Sequence, residues 1–472
     1  MQTPTTASAH LHIGTFAHRL VRPFFAAAFV FLVIVAMMSD AVYDSGDGIT
    51  HFEIARWSWK HPELFLHHWG KPFFTLLASP FAQFGYKGIV FFNILCHITT
   101  AWITWRIADR MKLPFAFLAG PLVIFAPISW GVAQSGLTEP LFALTLMSGI
   151  YFVTGGRNVV AALLISLLPF ARTEGFFLAP LFGLFFLIRR DYLSMCLLAT
   201  GTVVFSILGG LFVHHDFLWI LHGNPYKGES AYGHGTLTHF IDQNEFIMGW
   251  AMALFIVLGL LTLLFRKRFV PVHSTAEMLL VTGSFVVFFV MHSVFWWKGL
   301  FGSYGLIRVM ACTIPCVAII SLRGIQFATR YYEKYKGAVV ITLVAAMGLT
   351  MFNTFNFYGL ILQPDFRQQK CREVVAEITK ENKGANTLYC GNPYIRFLLK
   401  KDPFDPAQSR ELSDLKNEKV HGALVVWDSH FGPVQYDLTE EQLLADPQLS
   451  EFTRFDFRSD KNGVLWILCD VK

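Results

Sequence analysis

Charge is what this chain has least of. Asp, Glu, Lys and Arg make up 15% of its 472 residues, against about a quarter in soluble domains, while 54% are hydrophobic and the mean hydropathy is +0.46. That excludes a soluble enzyme of ordinary composition and describes a polytopic membrane protein. Cysteine is scarce as well: seven scattered residues are too few for a disulfide framework or a zinc site. Cys312 and Cys316 lie inside an apolar run and read as small buried hydrophobes. There is no basic stripe. The net charge of +5 divides into +8 over residues 1–360 and −3 over residues 361–472, and the cations fall in short loops, which excludes a nucleic-acid surface. No internal repeat or low-complexity segment stands out.

What is present is a series of apolar runs followed by a polar tail. Residues 361–472 hold 33 of the 71 charged residues, so a membrane region of residues 23–360 precedes a soluble domain. A span needs about 20 apolar residues, and the candidates are 23–39, 88–106, 113–129, 137–154, 158–171, 175–188, 193–213, 246–265, 276–295, 306–322 and 337–358, about eleven transmembrane helices in all. No small-residue cleavage site precedes the loop after the first run, which makes that run an uncleaved span behind a cytoplasmic N-terminal segment, residues 1–22. Basic residues at Arg19 and Arg22, Arg106 to Lys112, Arg157, Arg189-Arg190, Arg266 to Arg268 and Arg323 to Lys336 all fall on one face of this layout, which the positive-inside rule makes cytoplasmic. Residues 72–84 are apolar enough for a short span that would invert everything downstream; they are read as a surface-lying or partly embedded helix. The tail alternates helix-like stretches (367–382, 438–447) with strand-like ones (387–390, 423–427, 464–468), the pattern of a small exterior α/β domain.

On this layout the unusual polar clusters share the exterior face. The loop 40–87 opens with Asp44 and Asp47, three apart around Ser45-Gly46 and followed by Gly48, where the backbone can turn tightly and bring both carboxylates toward one point. Partly desolvated and beside a like charge, such a carboxylate is a capable general base; an ordinary helix cap at Asp47 or Thr50 is the plainer reading. His67, His68 and Lys71 stand just before Pro72 and an apolar stretch, where they can bind a phosphate or simply form an interfacial belt. Arg172 and Glu174 lie at a turn between two spans, and a charged pair at that depth is expensive enough to suggest function, a salt bridge being the structural alternative. Glu139 opens a helix on the same face, where its charge suits the helix N-terminus. Lys298 and Arg308 flank an aromatic, glycine-rich loop, 296–305, able to grip a diphosphate or stack on a sugar ring. The loop 214–245 is rich in His, but no spacing there is diagnostic of metal.

These features together resemble the GT-C superfamily of polytopic glycosyltransferases: a first span, a long exterior loop with an acidic pair near its start, Gly70-Lys71-Pro72 at the return to the membrane, about a dozen spans and an exterior C-terminal domain. The superfamily includes protein O-mannosyltransferases, lipid A aminoarabinose transferases and dolichyl-phosphate mannosyltransferases. Its Lys-Pro-Pro or His-Pro-Pro motif is matched only in part, because Phe73 replaces the second proline. The sequences Ser135 to Pro140 and Ala171 to Gly175 are similar to the exterior turns of these enzymes, and the tail matches nothing named. The resemblance implies inverting transfer of one sugar from a polyprenyl-phosphate donor to a hydroxyl of a lipid, glycan or protein acceptor. It implies Asp47 or Asp44 as base, with Lys71 and either Arg308 or Lys298 on the leaving phosphate. No cofactor is certain and a divalent metal is left open by the acidic pair. The expected location is a bacterial inner membrane, with the site on the periplasmic face and membrane lipids around it. The competing reading is a transporter or lipid flippase whose polar residues line a pathway, although such proteins tend to carry repeated halves and helices broken at the midplane.

Overall fold

The computed structural model describes residues 7–226, 228–264, 274–330, 334–384, 386–460 and 463–472. The basic turn Arg266 to Arg268, used above for orientation, lies outside them.

Each expected apolar run carries helix. Among the described residues six helices are long and apolar enough to cross a membrane: Leu20–Met38, Tyr86–Arg110, Tyr192–Phe212, Glu277–Lys298, Ile307–Thr329 and Lys336–Tyr358. A seventh is a bent pair, Ala116–Ile124 and Pro127–Ala133, meeting at 60°. The run 113–129 was expected to be one straight span; Pro127, which opens the second piece, has no N–H to continue a helix and favours such a start. Pro169 likewise opens a separate turn, Leu168–Ala171, after Asn158–Ser166. Helices Glu139–Thr154, Gly175–Ile188 and Gly249–Leu263 are apolar but shorter.

The chain enters on α1 (Ala7–Met38), which begins well before the expected span. The loop after it runs into α2 (Asp47–Trp57), then α3 (Pro72–Ala82) and α4 (Tyr86–Arg110). Eleven residues of α3 rise about 16 Å, half of what a bilayer core requires. It packs Phe74, Ala78 and Ala82 inward and leaves Leu76 exposed.

The C-terminal domain is a five-stranded sheet in the order β2-β1-β3-β5-β4, built from β1 (Leu388–Cys390), β2 (Ser409–Arg410), β3 (Leu424–Asp428), β4 (Leu449–Asp456) and β5 (Leu465–Val471). The pairs β1–β2 and β1–β3 are parallel, and β5 runs antiparallel to both β3 and β4. The near-continuous apolar β3 and β5 are buried on both faces, as central strands are. The edge strand β4 carries Glu451 and Arg454, with a bulge between Glu451 and Thr453, both devices that blunt an edge.

This domain clamps the segment between α1 and α3. Buried Gln368, on helix Phe366–Lys380, pairs with the backbone of Val42 through both of its side-chain atoms, at 3.2 and 2.9 Å. Arg372 donates to the carbonyl of Asp40. Lys60 and His61 meet the fully buried Asp402 at 2.8 and 3.0 Å, and Phe397 packs edge-on against Phe52 of α2. At the end of the bundle away from this domain, a bidentate Arg323–Glu277 pair (2.7 and 2.8 Å) joins two helices.

Candidate active site

The acidic loop is shaped by its own first carboxylate. Asp44 Oδ1 accepts from the backbone N–H of Gly46 and Gly48, at 3.1 and 2.9 Å, so the chain curls around Asp44 and starts α2 at Asp47. Through Gly48, Asp44 satisfies an N–H in the first turn of α2, while its Oδ2 and that of Asp47 remain for another partner. Both reach Arg308: Asp44 Oδ2 meets one terminal nitrogen of its guanidinium and Asp47 Oδ2 the other. The two carboxylates do converge on one point, and a fork supplied 260 residues later in the chain fills it.

Arg308 sits in a 3₁₀ turn, Ile307–Thr313, at the mouth of the helix Ile314–Thr329, and its Nε lies 3.6 Å from Glu139. Glu139 is wholly buried and is held from the other side by Arg172 at 2.8 Å. The segment before it is pinned by Asn93 of α4, whose amide donates to the carbonyls of Ser135 and Leu137 at 2.8 Å each. A side chain on Gly136 would stand 2.3 Å from the carbonyl oxygen of Gly48, so the absence of a Cβ lets this turn lie against the acidic loop. Arg172 continues the chain of charges to Glu174 at 2.7 Å and to Thr138 at 3.1 Å; His292 lies 3.7 Å from Glu174.

Lys71 joins from α3. It is the residue before Pro72, with φ of +60°, a backbone region uncommon for a side-chain-bearing residue and found at functional clamps. Its ammonium donates to Thr173 at 3.0 Å and lies 4.6 Å from the centre of the Tyr226 ring, which in turn stacks on Trp69. The His-rich loop is laid down here by hydrogen bonds: His214 bonds the carbonyl of Leu66, and His68 bonds that of Ile220, at 3.0 and 3.1 Å. The same loop zips to 296–305 through Ser230 to Gly299 and Gly235 to Trp296. Tyr226 is thus a roof over Lys71.

Of the residues picked from sequence, Asp44, Asp47, Glu139, Arg172, Glu174, Lys71 and Arg308 form one connected cluster. His67 and His68 stand at its edge. His67 accepts from the N–H of Gly70, shaping the turn into Lys71, while His68 is engaged with Ile220. Lys298 does not join: it is exposed and lies over the ring of its neighbour Trp297, 3.8 Å from the centre. Sequence reasoning passed over Tyr226, Thr173, His292 and Asn93. The first three lie within or beside segments that were singled out, but no spacing links them to Lys71 or Glu174. Asn93 is one polar residue in an apolar span, a signal that intramembrane polar side chains warrant.

The charges are tuned by burial and by one another. Burial pushes Asp47 up to about 6, with Glu139 adding and Arg172 and Lys71 opposing; the guanidinium of Arg308 keeps it ionised while it is seated there. Burial brings Lys71 down to about 7 against the attraction of Glu174 and Asp47. It also lowers His67 to about 4, so that its imidazole is neutral. For Glu174 burial is outweighed by Arg172 and His292, and the carboxyl is held at about 2. The site therefore offers a carboxylate poised near neutrality, a lysine that gains its full charge when an anion arrives, and two guanidiniums. Among the described residues no group of three His, Cys, Asp or Glu side chains is arranged to hold a metal ion, and Arg308 occupies the meeting point of Asp44 and Asp47.

No family model matches the sequence, and no curated protein does. Solved structures do match. The chain is similar to ArnT from Cupriavidus metallidurans in the apo state (TM-score 0.64, 13% identity, 96% of this chain and 98% of that one), and to ArnT from the same organism bound to undecaprenyl phosphate (TM-score 0.60, 12% identity, 95% and 97%). It is also similar to the Archaeoglobus fulgidus oligosaccharyltransferase in the apo form (TM-score 0.51, 11% identity, 93% of this chain and 74% of that one). At such identities the likeness establishes the fold. The chain is an integral, multi-pass protein with the GT-C fold that its sequence resembles, and it carries a small C-terminal α/β domain.

Proposed function

We propose that the protein is a membrane glycosyltransferase that moves one sugar from a polyprenyl-phosphate donor to an acceptor hydroxyl at the exterior, periplasmic face of a bacterial inner membrane, with inversion. The observation that carries this reading is the adjacency of a pair of carboxylates to several cations: Asp44 and Asp47 on Arg308, which is linked through Glu139, Arg172 and Glu174 to Lys71 within one connected cluster. The GT-C fold, and a neighbour solved with undecaprenyl phosphate, support it.

In the reaction Asp47 takes the proton of the acceptor hydroxyl as its oxygen attacks the anomeric carbon, and the bond from that carbon to the phosphate oxygen breaks. Asp47 is the base rather than Asp44 because Asp44 Oδ1 is already committed to two backbone N–H groups, which lower its basicity. Lys71 and Arg308 receive the negative charge on the leaving phosphate, a role in which each preorganised donor is worth about 3–4 kcal/mol. Arg308 has two positions to serve: on the carboxylates in the resting protein and on the phosphate in the loaded one. Tyr226 keeps water from Lys71. Arg172, tied to Glu139 and Glu174, is a positioning residue that holds the exterior turns together.

The test is transfer by the purified full-length protein in detergent, using polyprenyl-phosphate donors carrying different single sugars, combined with topology reporters after Lys60 and at the C-terminus. Turnover of a polyprenyl-phosphate sugar, with both reporters outside, is the expected result. Reporters on opposite faces, or movement of lipid across vesicles without glycosidic bond formation, would support the flippase reading instead.

A further inference from the structure

The cluster above borders a cavity through Asp44. This cavity of about 240 Å³ lies between the acidic loop and the C-terminal domain, with Asp44 and Ser45 on one wall and Asn392, Asp428, Phe431 and Trp466 on the other. Asp428 closes β3 and is 1% exposed. Its Oδ1 accepts from the backbone N–H of His430 and Phe431, at 3.0 and 2.8 Å, while Oδ2 is buried with no hydrogen-bond partner. Native structures rarely leave such an atom unmatched, because its lost hydration costs about 1–3 kcal/mol or more. The Asn392 amide stands near enough to act on the carboxylate but makes no bond of ordinary length to Oδ2, so a further donor is accommodated there.

The shape and chemistry of the cavity narrow what that donor is. Its volume lies below the roughly 300–1,000 Å³ typical of pockets for drug-sized ligands, so it admits one ring rather than an oligosaccharide. Three carboxylates line it, Asp44, Asp365 and Asp428, against Arg367 and Lys370. Lys370 is bound to Glu373 at 2.8 Å and lies over the Phe457 ring. With Asp44 already seated on Arg308, Asp365 and Asp428 still outnumber Arg367 and disfavour an incoming phosphate, whereas hydroxyls donate to carboxylates, and the partly exposed Phe431 ring gives the C–H face of a sugar something to lie on.

We propose that this cavity binds the acceptor as a neutral sugar ring, with one hydroxyl on Asp428 Oδ2 and another directed past Asp44 toward Asp47. Its purpose rests on the transfer reading; its occupancy does not. The C-terminal domain then has a definite task, presenting one hydroxyl to the base while the donor approaches from the side of Lys71.

The test is saturation-transfer NMR on the full-length protein in micelles, with methyl glycosides of neutral hexoses and pentoses as probes and inorganic phosphate as the contrasting one. At least one glycoside should receive saturation, with its Kd rising roughly tenfold or more in Asp428→Asn. The amide of that variant keeps the Oδ1 acceptor that orders residues 428–431. Phe431→Ala, at a partly exposed ring, should weaken binding similarly and serves if the Asn variant does not fold; Lys71→Ala should leave it unchanged. The proposal is overturned if no glycoside binds, if binding is indifferent to both cavity variants, or if phosphate binds instead and depends on Arg367. Glycoside binding without sugar transfer would sink the transfer reading alone.

Discussion

Replacing Asp47 by Asn tests the chemistry with little disturbance of the fold. Asp47 is 34% exposed, and Arg308 keeps Asp44 together with Glu139 at 3.6 Å as partners; the amide oxygen can still accept from the guanidinium. The structural loss should therefore stay near that of a partly exposed ion pair, about 1 kcal/mol or less, and the melting temperature should move by only a few degrees. Catalysis should lose much more. A positioned general base contributes about 10²–10⁴-fold, or about 3–5 kcal/mol of barrier, and Asp44 is a poor substitute because two N–H groups hold its other oxygen. The pH profile supplies a second reading. With Arg308 moved to the phosphate in the loaded protein, Asp47 raised to about 6 is ionised above that pH and protonated below it, so kcat should fall toward tenfold per unit beneath pH 6, while kcat/KM should also fall above about 7 as Lys71 loses its proton. The assay is product formation from a labelled polyprenyl-phosphate sugar from pH 4.5 to 8. An Asn variant that folds normally, turns over within tenfold of the native protein and keeps the acid limb would refute the assignment.

Three further outcomes follow from the same geometry. Lys71, brought to about 7 by burial, must be protonated to hold a phosphate; binding of labelled polyprenyl phosphate should weaken as pH rises from 7 to 9, and Lys71→Met should abolish that dependence along with most of the affinity. In Gly136→Ala the new methyl would stand 2.3 Å from the Gly48 carbonyl, forcing the two exterior turns apart. We expect about 1–3 kcal/mol of destabilisation and a loss of turnover on the order of 10²-fold from misplacement, read by thermal melting and the transfer assay; unchanged turnover would show that the contact is slack. Burial raises Glu53 on α2 from 4.5 to about 8 despite the attraction of Arg396. The folded protein thus keeps a proton that the unfolded chain releases above about 4.5, and stability falls as pH rises from there toward 8. Glu53→Gln should remove that slope and add up to roughly 3 kcal/mol at pH 7, seen as a rise in melting temperature that is larger at pH 8 than at pH 5.

How far the sequence could be read depended on the kind of signal. Apolar runs declared the helices because a bilayer demands length, and α3 is helical over eleven residues, short of that length. The breaks at Pro127 and Pro169 were harder, since proline inside an apolar run is compatible with a kinked helix as well as with two helices. The buried strands β1, β3 and β5 stood out as apolar stretches, while β4, an edge strand with Glu451 and Arg454, and β2, two residues long, gave no such contrast. Within the site, Asp44 and Asp47 could be paired because Ser45 and Gly46 join them directly. Arg308 was one cation of a flexible loop beside Lys298, and sequence could not separate the two; in the fold one reaches the carboxylates and the other lies on Trp297.

The sequence by itself determined that this is a membrane protein with a polar tail, because hydrophobic content and charge placement act residue by residue and need no fold. It also determined which residue types were available for proton and phosphate chemistry. Only the tertiary structure decided which of them meet: that Arg308 bridges Asp44 and Asp47, that Arg172 ties Glu139 to Glu174, and that Asp428 faces the acidic loop across a cavity. Arg172 and Glu174 apart, those residues lie from 33 to 384 positions from one another, and juxtapositions at such separations are fixed by how helices and sheet pack, which no local pattern in the chain encodes.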